Sequence, residues 1–314
     1  TSVTEKYQDK RNDIINVKDK VIEFETGNVL IGSVSRLYMS NKCLLIADHK
    51  SVDKQIHIFN KNDFSYLTSI GNFGEGPEEI TVMGCLAIDE AHHQLYVSDH
   101  AKQKIFSYDM DSVMVDSLYK PQVKTAMNET LFPSEYQYIN DTLSIAVLIK
   151  PTSTSTFNQF LGRWNMNTGE MIPMKYTHPD IQKKRITFAA SEKAGIYVEC
   201  YTRHDLMTIC SLDGELLYNI YGPDWDGGNG NKLQSFGTVM IGNDKIFVSY
   251  CGEDYARDSF PTKILVFDLE GNYLKTLETG YKISDCCYDS FNNRIILSLN
   301  DVVQFAYLDI DGII

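Results

Sequence analysis

Three observations predict an all-β chain. A run of β-type residues recurs six times at a period of about fifty, a tight turn follows each run at a similar distance, and one N-terminal strand belongs to no repeat. Together they describe a six-bladed β-propeller of four-stranded antiparallel blades, closed by the N-terminal strand completing the last blade.

The repeats begin at Leu44 (LLIAD), Leu95 (LYVSD), Leu143 (LSIAVL), Ile196 (IYVEC), Ile246 (IFVSY) and Ile295 (IILSL). Each is followed by a second strand-like segment: IHIFNKND, IFSYDMDS, GRWNMNTGE, TICSLDGE, LVFDLEGN and FAYLDIDG. Asp213-Gly214, Glu270-Gly271-Asn272 and Asp311-Gly312 then supply the positive φ that a hairpin requires. A further strand follows the turn, as in SYLTSIG, ELLYNIYG and NYLKTLETG. Another precedes each run, as in VMGCLAIDE, TVMIGND and SDCCYDS, so each repeat makes four strands.

The sixth repeat stops after Asp311-Gly312, one strand short, while KVIEFETG, from Lys20, has no repeat of its own. Residues 20–26 are therefore expected to supply the missing outer strand and remove two open sheet edges. Residues 1–19 read as an N-terminal extension, and 1–314 as one domain, because no glycine/serine linker or charge block marks a boundary.

With 42 acidic against 29 basic residues the formal charge is −13, which repels a nucleic-acid backbone. The densest basic run, Lys183-Lys184-Arg185, is too short to overcome it. No stretch approaches the roughly 20 apolar residues of a membrane span, and anionic membrane surfaces are disfavoured by the same charge. The chain carries no initiator methionine or apolar leader, so it reads as a mature product or a trimmed chain whose targeting segment has been removed. Of the seven cysteines, Cys43, Cys85, Cys200, Cys210, Cys286 and Cys287 lie in or beside strand runs without Cys-x-x-Cys spacing, which predicts free thiols.

IGNFGEGPEEI, residues 70–80, has the glycines of a phosphate loop. It lacks the Gly-Lys-Ser/Thr and following helix, and Glu78 and Glu79 would repel a phosphate. The glycines instead let the chain pass from one blade to the next, with Pro77 opening a turn. GNFGEGPEEI is similar to the Gly-x-Gly-Pro-Gly-Glu signature of the six-bladed, TolB-like and NHL-like propellers abundant in Bacteroides and its relatives. It departs from that signature at Glu78, where the family has glycine. The resemblance implies an exported protein of the periplasm or cell envelope, often a lipoprotein anchored through a removed N-terminal segment, and carries over no catalytic residue.

Long connections, among them CGEDYARDSFPTK, KPQVKTAMNETLFPSE and GPDWDGGNGNKLQS, are expected on one face, and propellers bind partners through their loops. There Tyr221, Trp225, Tyr255 and Phe260 offer apolar rings beside Asp224, Asp226, Glu253 and Asp254, or else pin their own loops. DWDGGNGN resembles a calcium loop but lacks its closing glutamate. His49 and His100 follow corresponding aspartates, and with His204 they offer three imidazoles to a divalent metal or a ligand. Glu199 occupies a slot filled by small or apolar residues in the other repeats and needs a partner, Arg203 or Arg185, or a ligand. His92 and His93 fall in a short turn on the opposite face, in contact with solvent. The first functional reading is a binding module for a protein, peptide or glycan, without a cofactor. The alternative is a metal-dependent, lactonase-like hydrolase or lyase with its site at the central channel.

Overall fold

A computed structural model describes residues 3–230 and 232–314. Residues 25–174 form one compact unit, and residues 1–24 with 175–314 form another. The chain opens with three short strands, β1 (Glu5–Tyr7), β2 (Ile14–Asn16) and β3 (Val21–Glu23).

The 25–174 unit contains three antiparallel blades. Blade 1 is β4 (Ser35–Met39), β5 (Cys43–Asp48), β6 (Lys54–Asn60) and β7 (Tyr66–Asn72). Blade 2 is β8 (Met83–Asp89), β9 (Gln94–Asp99), β10 (Lys104–Asp109) and β11 (Gln122–Ala126). Blade 3 is β12 (Phe132–Asn140), β13 (Leu143–Pro151), β14 (Phe157–Trp164) and β15 (Met171–Pro173).

The other unit carries blades 4 to 6. They are β16 (Ile186–Ser191) to β19 (Leu216–Tyr221) through β17 (Ile196–Tyr201) and β18 (Leu206–Ser211), and β20 (Leu233–Gly242) to β23 (Tyr273–Glu278) through β21 (Lys245–Asp254) and β22 (Lys263–Asp268). The last is β24 (Ile283–Asp289), β25 (Arg294–Leu299) and β26 (Phe305–Asp309), completed by β3. Six four-stranded antiparallel blades make this a six-bladed β-propeller.

Every recurring run is the second strand of its blade. In β5, β17 and β25 all six residues are buried, so both faces of the strand are covered. Such a strand reads as a continuous apolar run and not an alternating one. Leu45 and Ile58 of blade 1 pack in one cluster with Leu86, Val97 and Phe106 of blade 2. Phe247 and Ile264 of blade 5 do the same with Ile295, Leu297 and Leu308 of blade 6. The turn glycines Gly214, Gly271 and Gly312 have φ of 91°, 80° and 80°, as the hairpin reading requires.

Closure occurs where the repeat count places it. β3 pairs antiparallel with β26, Glu23 opposite Ala306 and Val21 opposite Leu308, and the Phe24 amide donates to Phe305 at 3.1 Å. The preceding residues are more than an extension. β1 adds to β19 in parallel and β2 adds to β23 in parallel, giving blades 4 and 5 a fifth strand each.

The loop expectation needs one correction. KPQVKTAMNETLFPSE is not a single long connection, since β11 lies within it. The extra length of blade 2 falls instead between β10 and β11, where Asp109 accepts from the Ser112 amide at 2.9 Å and caps a one-turn helix, α1 (Met110–Val113).

All seven cysteines are free and buried. Burial pushes the Cys85 thiol up to about 11 and the Cys210 thiol to about 12, which suppresses the reactive thiolate. Titration with a thiol reagent is expected to find few fast groups in the native protein and all seven after denaturation without reductant. Three or fewer would reveal disulfides. Among the described residues no helix is long and apolar enough to cross a membrane.

Candidate functional site

The loop after β7 holds a cation, and that cation is the chain's own lysine. Lys102 Nζ donates to the carbonyls of Gly76 and Glu79. The Glu79 carboxylate accepts from the Gly76 amide at 2.9 Å, and a Cβ at Gly74 or Gly76 would collide with that carboxylate. Carbonyls converge inward and the carboxylate occupies an amide, the opposite of a phosphate cradle.

The repeated Asp-His pairs are inter-blade fastenings within the 25–174 unit. Asp48 accepts from the Gly32 amide at 2.9 Å, and Asp99 from Thr81 at 2.8 Å and Val82 at 3.2 Å, holding the chain as it enters the innermost strand of each blade. His49 of blade 1 places Nε2 3.1 Å from the Gly84 carbonyl of blade 2, so that nitrogen carries the proton. His100 of blade 2 bonds to the Ser134 backbone of blade 3 and meets Phe132 edge-on at 4.9 Å. Burial lowers the His100 pKa and favours the neutral ring. Each histidine thus spends one nitrogen on the next blade.

In the other unit, Tyr221, Trp225, Asp226 and His204 are brought together. Tyr221 is buried, donates to Glu5 Oε1 at 2.7 Å, accepts from His178 Nε2 at 2.7 Å and stacks on Tyr7 at 4.5 Å. Trp225 is half-buried against Tyr221, His178 and His204, with ring centroids 4.9, 5.7 and 6.0 Å away. His204 is buried, which lowers its pKa, and its Nδ1 lies 3.9 Å from Asp226. Asp226 closes its own loop by accepting from the Gly230 amide at 2.7 Å and from Gly228 at 3.2 Å. Asp224 turns away to the Tyr250 hydroxyl at 2.7 Å, so the two aspartates serve different partners; Asn231 of the calcium-like stretch lies outside the described residues.

Glu199 is 2% exposed and paired, but not with either arginine. Lys184 Nζ stands 2.8 Å and 2.9 Å from its two oxygens, and Tyr201 donates at 3.4 Å. Arg185 donates to the Lys184 carbonyl, and Arg203 lies over the Tyr255 ring, 3.4 Å from its centroid. Tyr255 itself is 49% exposed on a turn that Asp254 caps through the Ala256 amide. Phe260 on the same loop is 39% exposed. Glu5, Tyr7 and Arg11 also reach blades 4 and 5, from the N-terminus. Their only signal in the sequence is a charged and aromatic segment placed before the closing strand.

These blades and fastenings define a six-bladed β-propeller whose candidate residues lie in its loops and blade junctions. The chain belongs to the DUF5128 family, described as 6-bladed beta-propeller, whose model matches residues 1–159. No curated protein matches it significantly. Among solved structures it is similar to a Bacteroides fragilis protein designated as exported, at 13% identity and a TM-score of 0.60, covering 94% of this chain and 88% of that one. It is similar to a DUF4221 family member from Bacteroides vulgatus at 11% identity and a TM-score of 0.61, covering 96% and 98%. A third likeness is the Cps50 (Swd1) β-propeller domain of Myceliophteria thermophila, at 10% identity and a TM-score of 0.57, covering 91% and 98%.

Proposed function

We propose that the protein is an exported binding module of the cell envelope, facing the periplasm, that holds a protein, peptide or glycan through the loops of its 175–314 blades. Export is supported by the designation of the Bacteroides fragilis neighbour and by the Gly-Pro loop resemblance. The finer likeness to TolB-like and NHL-like propellers rests on that loop alone, and lipid anchoring rests on the same resemblance. One domain spanning both units is part of the proposal.

The observation that carries the binding reading is the Tyr255 ring. It is half exposed yet already held by the Arg203 guanidinium, with Phe260 exposed on the same loop. An aromatic ordered before binding loses little entropy when a sugar or side chain packs on it. Glu199, the carboxylate an enzyme at the channel would draw on, is held by Lys184.

Binding to peptide and oligosaccharide panels, measured by surface plasmon resonance, tests this reading. Tyr255→Ala is expected to weaken a ligand found this way by about tenfold or more, as expected for an aromatic hot spot, with a stability loss no larger than the roughly 0.5–1 kcal/mol of its contact with Arg203. Tyr221→Phe is expected to act the other way, lowering stability by about 1–3 kcal/mol by orphaning the buried His178 Nε2, with affinity unchanged. A ligand indifferent to Tyr255→Ala would sink the assignment.

A further inference from the structure

The junction of blades 2 and 3 gathers a second set of chemically capable side chains, on the side where short turns were expected to be merely solvated. Asp89 ends β8, His92 sits in the turn after it, and Asp141 sits in the turn between β12 and β13. All three lie in the 25–174 unit. We propose that Asp89, His92 and Asp141 form a binding site for one divalent transition cation of the zinc type.

One ligand atom from each residue falls within 4.8 Å of the others. His92 Nδ1 is 2.8 Å from Asp89 Oδ2 and 3.9 Å from Asp141 Oδ1. Donor atoms about 2.0–2.1 Å from a tetrahedral zinc stand roughly 3.3 Å apart, so a small side-chain shift brings the set to that geometry. One imidazole with two carboxylates suits zinc better than calcium or magnesium, which prefer oxygen alone.

In each carboxylate the oxygen that faces His92 also accepts from a tyrosine, which fixes its orientation. Tyr96 donates to Asp89 at 2.8 Å and Tyr138 donates to Asp141 at 2.5 Å. The two tyrosine rings brace one another edge-on, 5.2 Å apart. Asp89 is buried, while His92 and Asp141 reach solvent with side chains 56% and 51% exposed, so an ion can enter without unfolding anything. A groove of about 400 Å³ opens beside them, lined by His92, Asp141, Tyr96, Ser107, Lys124 and Asn167. It has room for water or an anionic oxygen as the remaining ligand.

Blade 6 provides an internal comparison. Its corresponding turn has Asp289 accepting from the Asn292 amide at 3.2 Å and from the Asn292 side chain at 2.7 Å. In blade 2, Asp89 accepts from the His92 amide at 3.2 Å and faces the His92 ring at 2.8 Å. The turn accepts a side-chain donor at this position, as asparagine shows in blade 6, without requiring one, since Ala194 stands there in blade 4 with its amide on the Ser191 hydroxyl at 3.0 Å. An imidazole, joined by a carboxylate from the next blade, goes beyond what the turn demands.

The same comparison yields the test. His92→Asn should preserve the turn as Asn292 does, yet remove the nitrogen ligand. The full chain, stripped with chelator and dialysed, is titrated with Zn²⁺ by calorimetry, and the ¹H–¹⁵N signals of the imidazoles are followed. The wild-type chain is expected to bind one Zn²⁺ with a shift of the His92 resonances. His92→Asn and Asp141→Asn should each weaken binding by about tenfold or more at unchanged melting temperature without zinc. His93→Asn should leave it unchanged, since that ring is turned to the exposed Asp111, 3.0 Å away. Absence of saturable binding by the wild type, or binding that survives intact in both ligand variants, overturns the site.

Discussion

Removing residues 1–26 is expected to abolish cooperative folding of blades 4 to 6, not to fray one end. Without β3 the edge of β26 is open, and the Phe24 to Phe305 bond is gone. Val17 is fully buried among Leu277, Ile283 and Leu308, and burial of a valine contributes roughly 1.5–3 kcal/mol. Arg11 leaves with the segment too, stranding the fully buried Asp205 carboxylate at a further loss of about 3–5 kcal/mol. Together these terms approach the roughly 5–15 kcal/mol by which a domain is stable. The two tryptophans make the measurement direct, since Trp164 lies in the 25–174 unit and Trp225 in the other. Urea unfolding followed in single-tryptophan variants should show the Trp225 transition lost in a chain that begins at Gly27. An unchanged midpoint for that signal would refute closure by the N-terminal strand.

The blades were legible because their signal is redundant. A second strand buried on both faces must be apolar along its whole length, as in LLIAD and IILSL, and the turn glycines must accept positive φ. The closing strand was legible by subtraction, from a sixth repeat one strand short. β1 and β2 were not, for a physical reason. Three residues such as EKY or IIN hold too little of a period to read, and their partners lie some 200 residues on or further, Glu5 opposite Asn219 and Ile14 opposite Thr276.

Site residues were legible as exceptions but not in their roles. Glu199 stood out as a carboxylate needing a partner, yet nothing in the local pattern says which of Lys183, Lys184 and Arg185 turns inward, and Lys184 does. The Asp-His pairs stood out as a repeat, but their acceptors are backbone carbonyls of the next blade, which carry no sequence signature. His92 and Asp141 meet only because blades 2 and 3 are neighbours, so no spacing rule could have joined them.

Arg11→Ala is expected to produce the largest loss of any single substitution in the N-terminal segment, about 3–5 kcal/mol. The guanidinium is 2.6 Å from Asp205 Oδ1, with side chains 5% and 0% exposed. Its carbon lies 5.5 to 5.7 Å from the ring centroids of Phe236, Tyr250 and Phe267. Asp205 cannot relax toward water, because it also accepts from the Asp224 amide at 3.0 Å and packs against Gly222. Truncating the arginine therefore leaves a buried carboxylate without its cation, beside a space whose aromatic rings had attracted the guanidinium and offer nothing to an anion. The charge, and not the lost packing, is the main term, and this separates the variants. Arg11→Met keeps much of the volume and should still lose most of the stability, whereas adding Asp205→Asn to Arg11→Met should recover part of it by neutralising the stranded group. Urea denaturation of the two single variants and the double variant gives the coupling directly. A loss below about 0.5 kcal/mol for Arg11→Ala, the range of ordinary surface substitutions, would mean that Asp205 does not depend on Arg11. In that case the N-terminal segment would be held by its strand pairing, the contacts of Glu5 and Tyr7 with Tyr221 and the burial of Val17.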